Sequence, residues 1–198
     1  MNKTADIILN GVRLDTAVNG DYVICADGGY NLYNGTPNCI IGDLDSINEV
    51  PKDVDLIKFP TDKDYTDGEL AVRHAIKLGY KNLTIHCALL GRIDHILSNI
   101  TLLQVAHNLG ASAQIVDTNV TINYYEKGTH TIGAEAEDTV SILPINGSAT
   151  ISESFGLQYP LQHLTLTPPT TTGQSNKALT NNPTIKISSG AVLIIVST

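Results

Sequence analysis

The chain has 198 residues, of which 42% are hydrophobic and 16% charged, a composition typical of an ordered globular protein with a sizeable core. Its formal net charge of −8 argues against nonspecific binding to nucleic acid. The longest early apolar run, Ile7–Leu9, is too short for a signal peptide or a membrane-spanning helix, which predicts a cytoplasmic protein that does not enter membranes. Three cysteines without a C-x-x-C pair are predicted to be buried, reduced thiols: Cys25, Cys39 and Cys87.

The first part of the chain alternates short apolar runs with helical patterns, which predicts a mostly parallel sheet. A turn at Asp27-Gly28-Gly29 starts a short helix. A longer helix over 67–78 begins with a Thr66/Glu69 capping box, and Gly79 follows as its C′ residue. Asp94 is the predicted N-cap of another helix, which ends at Gly110. The predicted strands are 6–9, 22–26, 39–41, 56–59, 83–90 and 112–116.

Two aspartates follow the third predicted strand. Asp43 and Asp45 come directly after Gly42, and alternate residues of an extended segment share one face. Two carboxylates about 5 Å apart repel by about 3 kcal/mol at an effective dielectric of about 20, and a hard cation such as Mg²⁺ would turn this repulsion into attraction. A solvated acidic turn explains the same residues equally well.

Four more acids stand at predicted strand ends or helix starts: Asp27, Asp64, Asp67 and Asp94. For Asp67 and Asp94, helix capping or the helix dipole is a sufficient explanation of each residue alone. Together they stand where the carboxyl ends of parallel strands meet, and with Arg92 they fit metal-assisted phosphoryl transfer. Arg92 precedes a helix N-terminus, where it could bind phosphate; a surface ion pair with Asp94 is the alternative.

Beyond Asp117 the pattern changes to short β-branched runs separated by turn residues, which predicts a second, all-β domain, a sandwich or a barrel. The stretch from Thr165 to Thr172 and the following Gly173–Asn176 are predicted to form a long exposed loop. The predicted strands are 120–125, 130–132, 140–143, 149–152, 164–166, 185–187 and 192–196.

Six motifs follow one another along the chain: Ala26–Asn31, Gly42–Ser46, Lys63–Glu69, Gly91–His95, Leu157–Leu161 and Gly173–Asn176. In order and spacing they resemble the motifs of the thiamine pyrophosphokinase family, and the resemblance covers nearly the whole chain. Two positions depart from the family pattern: Leu90 stands where a second glycine is usual, and Tyr30 where a small residue is usual. The chain also has no tryptophan.

The resemblance implies a Rossmann-like α/β domain over 1–122 that binds ATP, and a β-sandwich domain over 123–198 that binds thiamine. It also implies a homodimer with thiamine bound between subunits, and transfer of pyrophosphate from ATP to the thiamine hydroxyl. By motif match, Mg²⁺ would be held by catalytic residues Asp43, Asp45, Asp67 and Asp94. ATP would be bound by Asp27, Gly28, Gly29, Asn31, Lys63, Asp64, Thr66 and Arg92. Thiamine would be contacted by His95, Ser175 and Asn176.

Two other functions fit the same residues. One is a Mg²⁺-dependent pyrophosphokinase or nucleotide hydrolase that acts on another alcohol, such as a pterin. The other is a sensor that binds thiamine or a nucleotide without catalysis. Only the ligand pocket of the second domain would distinguish the first alternative from an enzyme that acts on thiamine. Metal binding by the acids would distinguish an enzyme from the sensor.

Overall fold

The computed structural model describes residues 3–44, 52–60, 62 and 64–198 of a mostly-sheet α/β protein with few helices. Two of the predicted site residues, Asp45 and Lys63, lie outside the described residues. The chain divides into two compact units, Met1–Thr118 and Asn119–Thr198. The predicted division lay at 122/123, inside a strand that belongs wholly to the second unit.

The first unit contains a parallel sheet. Its strand order is β6-β5-β1-β2-β3-β4, and each of these neighbouring pairs is parallel. This confirms the parallel sheet that the alternating pattern predicts. The strands are β1 (Thr4–Ile8), β2 (Tyr22–Ala26), β3 (Cys39–Gly42), β4 (Asp55–Lys58), β5 (Asn82–His86) and β6 (Ser112–Asp117).

Two α-helices and a 3-10 helix (Asp27–Leu32) connect these strands. Helix α1 (Asp67–Lys77) begins as predicted, because the backbone N–H of Glu69 donates to Thr66 Oγ1 at 3.2 Å. It packs against β1, β2, β3 and α2, while α2 (Ile93–Asn108) also packs against β6. Neither α-helix of the described part is long and apolar enough to cross a membrane.

Two predictions for this unit were wrong in detail. The N-cap of α2 is Arg92, because the helix already begins at Ile93, and Asp94 therefore lies inside the first turn, where its carboxylate accepts from the guanidinium of Arg92. Strand β5 ends at His86, four residues before the predicted end at 90, because Cys87 adopts a φ of 61° that leaves the extended conformation.

The three cysteines are buried and unpaired, which confirms the prediction of reduced thiols. Burial is the main reason that the pKa of Cys25, of Cys39 and of Cys87 is raised to about 12. These thiols therefore stay protonated near neutral pH and are weak nucleophiles.

The second unit contains antiparallel pairings, which confirms its all-β character; the predicted sandwich stays a prediction. Strand β12 pairs with β7, β8 and β9, and β9 also pairs with β10 and β11. Its core is aliphatic and includes Ile142, Ile151 and Ile194. The strands are β7 (Val120–Tyr125), β8 (Gly128–Thr131), β9 (Thr139–Phe155), β10 (Leu164–Leu166), β11 (Asn176–Lys177) and β12 (Thr184–Ser197).

Strands β9 and β12 are each one long strand where two short strands were predicted. The residues between the predicted short strands are turn formers, but in the structure they lie inside irregular long strands. Asn146 in β9 has a φ of 59°, and Gly190 in β12 has a φ of 78°. The register of β12 against β9 shifts between Lys186 and Ala191. Bulges of this kind absorb turn-forming residues without ending a strand.

Candidate functional site

A cavity of about 180 Å³ lies at the carboxyl ends of β1 and β2. The N-terminus of α1 contributes to its wall, and α2 contributes side chains from its first two turns. Ligands of parallel α/β sheets bind at this end of the strands. The lining residues are Leu9, Asn10, Ala26, Asp27, Thr66, Asp67, Gly68, His95, Ser98 and Asn99.

Asp27 is positioned by the turn that follows β2. Its backbone has a φ of 45°, and the Asn10 amide donates from Nδ2 to Asp27 Oδ2 at 3.2 Å. A Cβ atom on Gly28 would lie 2.6 Å from Oδ1 of Asn10, and one on Gly29 would overlap the carbonyl oxygen of Ile8. The two glycines therefore let the turn pack directly against the end of β1.

The end of β3 lies between two of the predicted carboxylates. A Cβ atom on Gly42 would lie 3.1 Å from Cβ of Asp27 and 3.3 Å from Oδ1 of Asp67. Asp43 follows Gly42 directly, so the backbone that leads into Asp43 passes beside both acids. The structure thus brings Asp27, Asp67 and the start of the Asp43 segment together, as the strand-end argument predicts.

No group of three or more His, Cys, Asp or Glu side chains is arranged to hold a metal ion within the described ranges. The acids beside Gly42 offer only oxygen donors, which suit hard cations. Mg²⁺ commonly uses one or two carboxylates together with water and substrate phosphates. The donor set therefore fits a Mg²⁺ ion that is completed by a nucleotide.

Arg92 and Asp94 form the surface ion pair that was the alternative interpretation of Arg92. Nε of Arg92 donates to Oδ1 of Asp94 at 3.1 Å, and Nη2 donates to Oδ2 at 2.6 Å. Their side chains are 72% and 63% exposed. The hydrogen bonds to Arg92 hold the pKa of Asp94 below its ordinary value. Exposed pairs of this kind contribute little to stability.

The remaining predicted residues of the first unit are spread around the cavity. His95 is exposed and lines it, and Thr66 lines it while capping α1. Asn31 and Asp64 are exposed and do not line the cavity. The ATP-binding roles assigned to these residues stay predictions.

The sequence predicts that Asn176 lies in an exposed loop, but in the structure this residue is buried. It is 3% exposed and is the first residue of β11. Its Oδ1 accepts from the backbone N–H groups of Tyr159 at 3.0 Å and Lys177 at 2.8 Å, while its Nδ2 donates to the Tyr159 carbonyl at 2.7 Å. The buried amide thus fixes the Leu157–Leu161 turn, on which the side chain of Tyr159 is 59% exposed. Ser175, next to it, is exposed as predicted.

Sequence reasoning missed three polar residues of the cavity: Asn10, Ser98 and Asn99. Asn10 lies two residues after the end of β1, and Asp27 lies one residue after the end of β2. Ser98 and Asn99 are three and four residues after His95, a spacing that places them on the same helix face. The Asn99 amide also donates to the carbonyl of Ala88 at 3.1 Å, which ties α2 to the segment after β5.

Comparison with known families assigns the two parts of the chain separately. Residues 15–115 match the thiamin pyrophosphokinase catalytic domain. Residues 129–192 match the thiamin pyrophosphokinase vitamin B1 binding domain. An α/β catalytic domain followed by a vitamin-binding domain defines the class of protein. The chain belongs to the thiamin pyrophosphokinase family.

Individual relatives agree with this assignment. The chain is 26% identical over 191 residues to thiamin pyrophosphokinase 1 of Caenorhabditis elegans, covering 88% of this chain and 78% of the relative. It is 27% identical over 164 residues to thiamine pyrophosphokinase of Bacillus subtilis, covering 79% of this chain and 77% of the relative.

Solved structures show the same fold. The crystal structure of Bacillus subtilis thiamine pyrophosphokinase superposes with a TM-score of 0.87 at 24% identity, covering 99% of both chains. Thiamin pyrophosphokinase from Candida albicans superposes with a TM-score of 0.80 at 19% identity, covering 100% of this chain and 90% of the other.

Proposed function

We propose that the protein transfers the pyrophosphoryl group of ATP to the hydroxyl group of thiamine, which yields thiamine diphosphate and AMP. The observation that carries this proposal is the ordered match of 15–115 to a catalytic domain and of 129–192 to a vitamin B1 binding domain. A pterin kinase, a nucleotide hydrolase and a sensor are not favoured by that pair of matches.

The ATP phosphates bind at the cavity beside α1. The N-terminus of an α-helix attracts phosphate through its free backbone N–H groups and its dipole, and Thr66, Asp67 and Gly68 line the cavity there. Its volume of about 180 Å³ is below the range of about 300–1,000 Å³ for pockets that enclose a whole small molecule, so the cavity accommodates part of the nucleotide. The other proposed ATP-binding residues are Asp27, Gly28, Gly29, Asn31, Lys63, Asp64 and Arg92.

The acids would hold Mg²⁺ together with the nucleotide. The proposed ligands are Asp43, Asp45, Asp67 and Asp94, and the position of Gly42 between Asp27 and Asp67 supports the grouping of carboxylates at this edge. The ion would neutralise charge on the phosphate oxygens during transfer. The chain's own part is to orient the β-phosphorus of ATP towards the attacking hydroxyl and to hold the AMP leaving group.

We assign thiamine binding to His95, Ser175 and Asn176. We also propose that the protein is a cytoplasmic homodimer and that thiamine binds between its two subunits. The exposure of His95 and Ser175 supports direct contact with a ligand. For Asn176 the supported role is indirect, because its amide holds the Leu157–Leu161 turn. A monomer in sedimentation that keeps full activity at nanomolar concentration would contradict the shared site.

Product analysis tests the reaction. The protein is incubated with ATP, Mg²⁺ and thiamine, and the nucleotide and thiamine products are quantified by chromatography. We expect AMP and thiamine diphosphate in equal amounts. ADP with thiamine monophosphate would contradict pyrophosphoryl transfer, and turnover with a pterin alcohol but not with thiamine would favour the other kinase.

A further inference from the structure

A row of polar side chains crosses three neighbouring strands of the first unit. Asp6 of β1 is paired with Thr84 of β5, and Thr84 is paired with Gln114 of β6, so the three side chains share one face of the sheet. Nε2 of Gln114 donates to Oγ1 of Thr84 at 3.4 Å. Strands of parallel sheets are usually apolar on both faces, so this row is not explained by packing.

A buried histidine lies beside the row. His86 is 1% exposed, and its Nδ1 lies 2.6 Å from Oγ1 of Thr16. Its Nε2 has no hydrogen-bond partner among the described residues and lies 3.5 Å from Oδ1 of Asp6. A buried ring nitrogen without a hydrogen bond is costly, and the carboxylate of Asp6 is the group that compensates it.

Asp6 is ionised within this buried environment. It is 4% exposed, and its Oδ2 accepts from the backbone N–H groups of Asn19 and Gly20 at 2.7 Å each. Burial by itself raises the pKa of Asp6, but His86 and these backbone donors outweigh it and hold the pKa below 3.8. Oδ2 is thus occupied, while Oδ1 faces His86.

These side chains line a cavity of about 530 Å³ that is separate from the site described above. We call it the β1–β5–β6 cavity; Thr4, Asp6, Thr16, Thr84, His86 and Gln114 are among its lining residues. None of its described lining residues also lines the cavity at the carboxyl ends of β1 and β2, which we call the strand-end cavity, and none is a lysine or an arginine. Its volume lies within the range of about 300–1,000 Å³ that is common for small-molecule pockets.

We propose that the β1–β5–β6 cavity binds a small organic cation with an amidine or guanidine group. The Asp6 carboxylate, in a lining with no described lysine or arginine, repels anions and attracts such a group. The charge of Asp15, which also lines the cavity, is paired with Arg13. Nε2 of His86 is shielded from the cavity and lies 3.5 Å from Oδ1 of Asp6. Oδ1 of Asp6 is therefore the atom that accepts an N–H bond from the ligand.

An NMR titration of the full chain tests this proposal with two probes that share a benzene ring: benzamidine and benzoate. We expect benzamidine to cause saturable shifts of backbone amides at 16–20, 84–86 and 114–116, and benzoate to cause none there. Asp6→Asn removes the charge and should weaken benzamidine binding at least tenfold. The matched control is Asp55→Asn, an exposed acid on β4 of the same sheet, which should leave binding unchanged.

A second variant keeps the test valid if Asp6→Asn fails to fold. Gln114→Leu keeps the charge of Asp6 and breaks the polar row, and we expect at least threefold weaker binding. Equal shifts with benzoate, shifts confined to 66–68 and 95–99, or unchanged affinity in the variants would overturn the proposal. AMP formation is measured on the same samples to separate this site from the proposed reaction. Benzamidine binding without transferase activity would support the β1–β5–β6 cavity as a cation site and would contradict only the proposed reaction.

Discussion

The two units of the chain use buried polar groups in different ways. In the first unit, Asp6 and His86 are buried and line a cavity, and Nε2 of His86 makes no hydrogen bond among the described residues. In the second unit, Asn176 is equally buried, but both ends of its amide are used by neighbouring backbone. The comparison teaches that a buried polar side chain indicates a ligand site only when its hydrogen-bonding capacity is not already used within the chain.

The two kinds of sheet also place polar groups at their loops differently. Parallel strands need long connections, and their loops meet at one edge, where side chains such as Asp27 and Asp67 can converge on a ligand. Antiparallel strands are joined by turns, and the backbone groups of those turns need partners. Asn176 supplies such partners to the Leu157–Leu161 turn.

The largest effect is expected at the strand-end site of the first unit. Asp67→Asn keeps the shape of the side chain but removes its charge, and kcat for AMP formation should fall by about 100-fold or more, because electrostatic stabilisation dominates such sites. The free energy of unfolding should fall by no more than about 1 kcal/mol, the contribution of an acid in the first turn of a helix. Steady-state kinetics and thermal unfolding measure the two quantities.

Asp55→Asn is the matched control for Asp67→Asn, since it neutralises an exposed acid of β4 in the same unit. It should retain wild-type kcat. If Asp67→Asn lost stability but kept its kcat, the acid would only stabilise the N-terminus of α1, and the strand-end cavity would lose its main catalytic candidate.

The next largest effect concerns the turn after β2. Gly29→Ala places a methyl group onto the carbonyl oxygen of Ile8, so the backbone must move, and the free energy of unfolding should fall by about 3 kcal/mol, the upper end for overpacking. Gly133→Ala is the control in the second unit, because no atom lies within 4 Å of a Cβ atom there. Chemical denaturation of both variants provides the measurement, and equal stability would show that the turn after β2 is not tightly packed.

A smaller loss is expected for Asn176→Ala in the second unit. The substitution leaves the backbone N–H and carbonyl of Tyr159 without their partners, which should lower the free energy of unfolding by about 2 kcal/mol. Ser175→Ala, at the neighbouring exposed position, should change stability little. If Asn176 instead contacted thiamine and held no turn, its variant would raise the thiamine KM without lowering the unfolding temperature.

The smallest effect is a pH dependence of stability that Asp6 contributes. Because its pKa in the folded protein is lowered from 3.8, the unfolded chain binds the proton more readily, and acid favours unfolding. The contribution is present above the unfolded pKa and is lost as the pH falls through the folded pKa. Asp6→Asn should therefore show a flatter decline of unfolding temperature below about pH 4 than the wild type; parallel curves would show that Asp6 is not specifically stabilised.

Local features of the chain were predictable from the sequence. The capping box at Thr66 and the C′ position of Gly79 were confirmed at the two ends of α1, because each depends on residues within one or two turns of the helix. The parallel sheet followed from alternating strand and helix patterns. The convergence of Asp27 and Asp67 followed from the rule that parallel strand ends meet at one edge.

Only the tertiary structure decided which polar residues are buried and what they contact. The approach of His86 to Asp6 depends on the register of β5 against β1, strands that lie nearly eighty residues apart in the chain. Asn176 reads as a polar loop residue until its pairing with Val140 brings it under the turn at Tyr159. Likewise, Asn146 and Gly190 read as turns, yet long antiparallel pairing absorbs them as irregularities within β9 and β12. Propensity and spacing report only on neighbours along the chain, whereas burial and strand register depend on partners far away in sequence.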